Sequence, residues 1–298
     1  MKKVMFEKPD IAELKKRFAL FDMHFHTRYT DGRNRVETIV RRARALGIGL
    51  AITDHNDIRG ALELARYRDV PSIPGIEVTS REGTHVLVYF DAIGDLEMFY
   101  NRCIRPALGS NVMSSTGLCV EDILSAADRC YGLTVFPHPC FPAYVGICNL
   151  SFEASRLVRL LAAVDGVEAI NAENLRRWNL KAVKLAQDLL KPVTGGSDGH
   201  FLSSLGRVLT IAPCEPTAKA MLDAIRRRQT RVIGKETSFF RKVAAGGAKM
   251  RSGMLRSPEL LEKNIRFSYQ VLHMKSRAIR DRVVGVRSIR EGGAGRPL

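Results

Sequence analysis

Six of the seven histidines in this chain stand close to carboxylates in a pattern that recurs along the sequence. His24-Phe25-His26 is followed by Asp31, Asp54 directly precedes His55, and Glu77 comes shortly before His85. His138 sits between two prolines, and Asp198-Gly199-His200 closes the series. Imidazole and carboxylate without thiolate suit borderline or harder divalent ions such as zinc, manganese or iron. The nine candidate ligands are His24, His26, Asp31, His55, Glu77, His85, His138, Asp198 and His200. They exceed what one tetrahedral ion needs, so two or three ions are expected. Ions about 4 Å apart can share a bridging hydroxide and clamp a phosphoryl group, so the chemistry in prospect is metal-assisted hydrolysis.

Taken singly, each residue has a plainer reading. A lone histidine at a strand end is more often a hydrogen-bonded structural residue than a ligand. Asp31 before Gly32 suits an ordinary turn. Asp54 could cap the helix that follows, and Glu77 could be a surface charge. Six histidines and three acids on one edge, however, would crowd titratable groups at a solvation cost with nothing to offset it.

The elements that must deliver these groups are legible as apolar runs alternating with amphipathic stretches. Strands are expected at Ala19–His24, Ile48–Thr53, Ile73–Thr79, His85–Phe90, Gly132–Phe136, Gly166–Ile170, Pro192–Thr194 and Arg207–Ile211. Helices are expected over Asn34–Leu46, Ile58–Tyr67, Val120–Tyr131, Phe152–Val164, Trp178–Leu190 and Thr217–Arg228. Repeated strand–helix units imply an α/β fold with a parallel sheet and helices outside it. In such folds the carboxyl ends of the strands form one ligand-binding face. Most of the candidate ligands fall at those ends, and His24 and His26, two apart on an extended chain, point the same way.

Composition narrows the class. With 298 residues, 45% hydrophobic and 26% charged, the chain is that of a folded globular protein. No apolar run approaches the roughly 20 residues of a membrane span. Met1 to Phe18 lacks the apolar stretch of a secretory signal, so a lead-in helix and a cytoplasmic protein are expected. The six cysteines include no C-x-x-C pair, which removes the zinc-ribbon and thioredoxin-like readings. Most are expected to be buried free thiols. The net charge is +16, with 15 Lys and Arg against 5 Asp and Glu between Lys235 and Leu298. That basic extension, partly helical from Ser257 and disordered at its end, is either a solvated tail or a surface for nucleic acid or another anionic partner.

The ligand series also resembles the PHP (polymerase and histidinol phosphatase) superfamily of metal-dependent phosphoesterases. The resemblance is carried by Asp22-x-His24-x-His26-Thr27, Ala51-Ile-Thr-Asp54-His55-Asn56, Gly75-Ile-Glu77 and Gly196-Ser-Asp198-Gly-His200, and covers about Leu20 to Gly234. It implies a distorted TIM-like (β/α)7 barrel over residues 19–234, with residues 1–18 leading in and 235–298 appended. It further implies His24, His26 and Asp198 on one ion, with Asp31, His55 and His200 on a second or sharing bridges. Glu77 would be the bridging carboxylate, and His85 and His138 would complete a third site. Asp54, His55, Asp198 and His200 are expected to serve the reaction, Asp54 by orienting an imidazole. Arg176 and Arg177 are candidate contacts for substrate phosphate. The expected substrate is a phosphate mono- or diester of a small molecule or nucleotide. Alternatives are a nuclease or nucleotide phosphodiesterase that uses the basic extension, and a metal-stabilised binding module without turnover. C–N hydrolysis ranks lowest.

Overall fold

The computed structural model describes residues 3–109, 111–141, 145–148 and 152–237. In chain order the elements are β1 (Val4–Met5), α1 (Ile11–Leu14), β2 (Ala19–Phe25), α2 (Val36–Leu46), β3 (Gly49–Ile52) and α3 (Arg59–Leu64). They continue with β4 (Gly75–Thr79), β5 (His85–Tyr89), α4 (Ile93–Phe99), α5 (Val120–Arg129), β6 (Leu133–Phe136) and α6 (Ala154–Ala163). The last are β7 (Gly166–Asn171), α7 (Arg176–Asp188), β8 (Val193–Gly196), β9 (Val208–Ala212), α8 (Ala218–Arg226) and β10 (Arg231–Gly234). The expected basic extension lies outside the described residues from Ser238 onward.

Local chemistry explains many of the boundaries. Helix α2 buries Val36, Ile39, Val40 and Ala43 along one stripe and ends at Gly47, whose φ of 68° lets its N–H reach back to Ala43. The Thr217 hydroxyl caps α8 by accepting from Ala220 N–H. The lead-in differs from the expected helix. It is a two-residue strand paired in parallel with β10, then one turn of helix capped by Asp10.

The strands form two mixed sheets, ordered β1-β10-β9-β2-β3 and β4-β5-β6-β7-β8, rather than one closed parallel barrel. Strands β4 and β5 are antiparallel because the turn 80–84 between them is too short for a crossover helix. The pairs β5–β6, β2–β9 and β9–β10 are antiparallel as well. The two sheets touch through isolated parallel bridges, and two of these, Phe25 to Gly199 and His55 to Glu77, lie among the candidate ligands. Between the sheets pack Phe21, Met23, Ala51, Leu87, Tyr89, Leu133 and Val135, with Met221, Leu222 and Ile225 of α8. The buried Tyr89 hydroxyl donates to the Met23 carbonyl at 2.6 Å and ties β5 to β2.

Candidate metal centre

The candidate ligands come from separate chain segments that end on one face. The pairing of β2 with β3 shifts register between Asp22 and Phe25. Phe21 and Met23 pack between the sheets, whereas Phe25 packs with Val36 and Ile39 of α2. Such an irregularity re-aims side chains, and both His24 and His26 face the cluster here, their Nε2 atoms 3.1 Å apart. His85 opens β5, yet the antiparallel register sets it opposite Thr79, at the same end as Glu77. His138 and Asp198 follow β6 and β8 with φ of 32° and 46°, a region that costs energy for residues other than glycine. Both are thus held in strained backbone where the donors converge.

Glu77 is the hub. Its Oε2 lies 3.5 Å from His24 Nε2, 3.4 Å from His26 Nε2 and 3.1 Å from His55 Nδ1. Its Oε1 lies 2.9 Å from His85 Nδ1 and 3.3 Å from His138 Nε2. Asp198 Oδ1 faces His26 Nε2 at 3.1 Å and His24 Nε2 at 3.5 Å. Asp31 turns Oδ2 to His200 Nε2 at 2.8 Å, while Oδ1 stands 3.7 Å from both His26 Nδ1 and His55 Nε2. All nine expected ligands therefore share one cluster. Three overlapping triads within it offer one donor atom each at metal-holding separations: His24 with His26 and Glu77, His26 with His55 and His200, and His55 with Glu77 and His85.

The donor set suits cations on two counts. Buried atoms of the cluster, including His26 Nδ1, His55 Nδ1, Glu77 Oε2 and His138 Nδ1, carry no hydrogen bond, although such groups normally find one. The field also favours positive charge. Burial works against ionising Glu77 and Asp198, but the surrounding imidazoles outweigh it and hold both well below the usual carboxylate range. Burial likewise opposes protonation of His24 and His26, yet the acids around them raise both above the ordinary imidazole value. At His55 burial wins, and the ring is pushed down to about 3. The acids thus favour positive charge at His24 and His26.

A pH prediction follows from those directions. Since the acids raise His24 and His26 above the usual imidazole pKa, metal uptake near pH 7 should release protons from this pair. Calorimetric titration of stripped protein with zinc, run in buffers of different ionisation enthalpy, should show net proton release. Zinc uptake without release would contradict the raised values.

Some expectations require correction. Asp54 neither orients an imidazole through a hydrogen bond nor caps α3, whose N-cap is Ile58. It accepts from Thr27 N–H at 2.7 Å, Thr27 Oγ1 at 2.6 Å and Thr30 Oγ1 at 2.7 Å, which braces the loop that carries Asp31. A side chain at Gly60 would collide with the Asp54 carboxylate. Arg176 lies over the Phe6 ring and pairs with Glu236 at 3.3 Å, so its guanidinium already has a carboxylate partner. Arg177 stacks on Trp178, which meets Phe141 edge-on, and Phe141 in turn packs against His138. All six cysteines are free, but only Cys130 is buried and the others are half-buried.

The residues that sequence reasoning missed are Glu168, Asn171 and Asp22. Glu168 accepts from the His24 ring at 3.0 Å and from His138 N–H at 2.8 Å. Asp22 takes Ser197 N–H, the Ser197 hydroxyl and Gly206 N–H, which pins the segment carrying Asp198 to β2. For Asp22, the acid standing two before His24 on a buried strand was a signal that could have been used.

A PHP domain model matches residues 22–120, and a PHP-associated model matches 176–230. The chain carries a PHP domain over residues 22–120. An uncharacterized protein of Methanocaldococcus jannaschii is 28% identical over 166 residues, covering 51% of this chain and 81% of its own length. The fold of this PHP protein is shared with the lesion-specific endonuclease PfuEndoQ of Pyrococcus furiosus, at a TM-score of 0.58 and 17% identity over 72% of this chain and 57% of that one. It is also shared with a two-domain Bacteroides vulgatus protein containing a predicted PHP-like metal-dependent phosphoesterase, at a TM-score of 0.53 and 17% identity over 79% and 69%. No helix among the described residues is long and apolar enough to cross a membrane.

Proposed function

We propose that this PHP protein is a metal-dependent phosphoesterase that hydrolyses a phosphate mono- or diester of a small molecule or nucleotide. The observation that carries the reading is Glu77, a buried carboxylate whose two oxygens face different sets of imidazoles. His24, His26 and Asp198 would hold one divalent ion, Asp31, His55 and His200 a second, and His85 with His138 a third, with Glu77 shared. Bound manganese, zinc or iron would lower the pKa of water and offset charge on the phosphoryl oxygens. The chain's own part is positional. Thr27 and Thr30 fix Asp54 and with it the Asp31 loop, Asp22 anchors the Asp198 loop, and burial excludes bulk water from the donors. Arg177, on its Trp178–Phe141 stack, is the phosphate contact of this reading.

The test is a screen of phosphate mono- and diesters with manganese- or zinc-reconstituted protein, with His26→Ala as control. Turnover that needs metal and fails in His26→Ala is expected. Metal-loaded protein inert toward the whole panel would instead favour a binding module. Chelation should also destabilise the fold. One ion held at 100 times its Kd contributes about 2.7 kcal/mol, which at this size corresponds to roughly 5–10 °C in Tm. An unchanged melting curve after stripping would remove metal from the account.

A nuclease reading has one observation of its own. Just after β10, Thr237 N–H donates to the Ala172 carbonyl at 2.8 Å, next to Asn171, whose amide reaches Asp198. Under this reading, turnover of single-stranded DNA falls steeply with salt, and truncation after Thr237 abolishes that dependence. Salt-insensitive cleavage of nucleic acid would remove it.

A further inference from the structure

Strand β7 contributes none of the expected ligands, yet its buried Glu168 contacts two of them. Glu168 Oε1 meets His24 Nδ1 at 3.0 Å. Glu168 Oε2 accepts the backbone N–H of His138 at 2.8 Å and the Asn171 side-chain amide at 2.9 Å. That amide also reaches Asp198 Oδ2 at 3.1 Å. One acid and one amide, three positions apart on the same strand, thus link candidate ligands from β2, from the exit of β6 and from the exit of β8.

We propose that Glu168, with Asn171, is the positioning residue of the metal centre. With an ion bound, its carboxylate would keep the remaining proton of His24 on Nδ1 and leave Nε2 to the ion beside His26, Glu77 and Asp198. Its second oxygen takes the N–H of His138, a residue held at φ 32°, and offsets the cost of that backbone. Without Glu168, the His24 ring loses the acid that faces its Nδ1 and is free to choose the other tautomer or rotate. A histidine ligand oriented by a carboxylate on its other ring nitrogen gains both geometry and basicity, and loss of such a partner typically costs about 10–100-fold in metal affinity.

The inference rests on the metal reading above but not on the identity of the ester, and its test reads metal rather than turnover. Zinc affinity of the stripped full-length chain is measured by competition with a chelator for wild type, Glu168→Gln and Glu168→Ala. Nitrogen NMR of the histidine rings reports the His24 tautomer. Expected are an Nδ1–H His24 in zinc-loaded wild type, a loss of about 10-fold in Glu168→Gln and up to about 100-fold in Glu168→Ala. Should Glu168→Ala fail to fold, Glu168→Gln, which keeps the volume, decides the matter. Wild-type affinity in Glu168→Gln with an unchanged His24 tautomer would overturn the proposal. Wild-type protein that takes up no zinc at all would overturn both this inference and the metal reading beneath it.

Discussion

Asp198→Asn should lose metal-dependent turnover on the order of a thousandfold. Asp198 Oδ1 lies 3.1 Å and 3.5 Å from the Nε2 atoms of His26 and His24, and those rings with Glu77 form the deepest triad of the cluster. Converting the carboxylate to an amide removes a negative charge where a cation would bind. A metal centre supplies several kcal/mol of charge stabilisation in the transition state, and each ~1.4 kcal/mol is one decade in rate. Asparagine is the informative substitution because Asp198 has φ of 46°, which asparagine tolerates better than alanine does. Asp198→Ala should show the same kinetic loss plus a lower Tm. Metal analysis of the purified variant should find at least one equivalent fewer. Asp198→Asn with full metal content and full turnover would sink the assignment.

Gly196→Ala should destabilise the fold by about 3 kcal/mol, near the upper end of typical overpacking costs. A Cβ at this position would fall on the Cβ of His24 and within 2.6 Å of its backbone nitrogen. The obstacle is backbone in the seam where β8 meets β2, so no rotamer change relieves it. Gly196 also pairs with Asn171 and follows Gly195, whose own N–H donates to Thr210 at 2.8 Å, so sliding the strand would break further bonds. For a domain of this size the change corresponds to roughly 6–12 °C in Tm. The measurement belongs on metal-stripped protein, where loss of ions cannot contribute. A stripped variant that melts with the wild type would show that the seam can open at little cost.

Much of the fold was legible before any coordinates. Apart from helix α4, which was not expected, strand and helix positions from Ala19 to Arg226 followed from the period of the apolar residues, and the observed ends differ from the expected ones mostly by a residue or two. The strands β1 and β10 escaped notice because they are short and set among charged residues, with no alternation long enough to register. Sheet order and strand direction were not legible either. The antiparallel β2–β9 and β5–β6 pairs join segments whose hydrogen bonds leave no mark on local sequence.

The sequence by itself determined the donor chemistry: which residues carry imidazole or carboxylate, that no thiolate accompanies them, and that most fall where an apolar strand stops. These are properties of residue type and local period, and each is settled within a few positions of the residue concerned. Only the tertiary structure decided what those donors face. Glu168 finds His24 across 144 positions, Asp54 is taken by threonines 24 and 27 positions away, and Arg176 is claimed by Glu236 across 60. Such partners depend on how two sheets approach each other, a matter of long-range packing and close backbone contact that no window of sequence encodes.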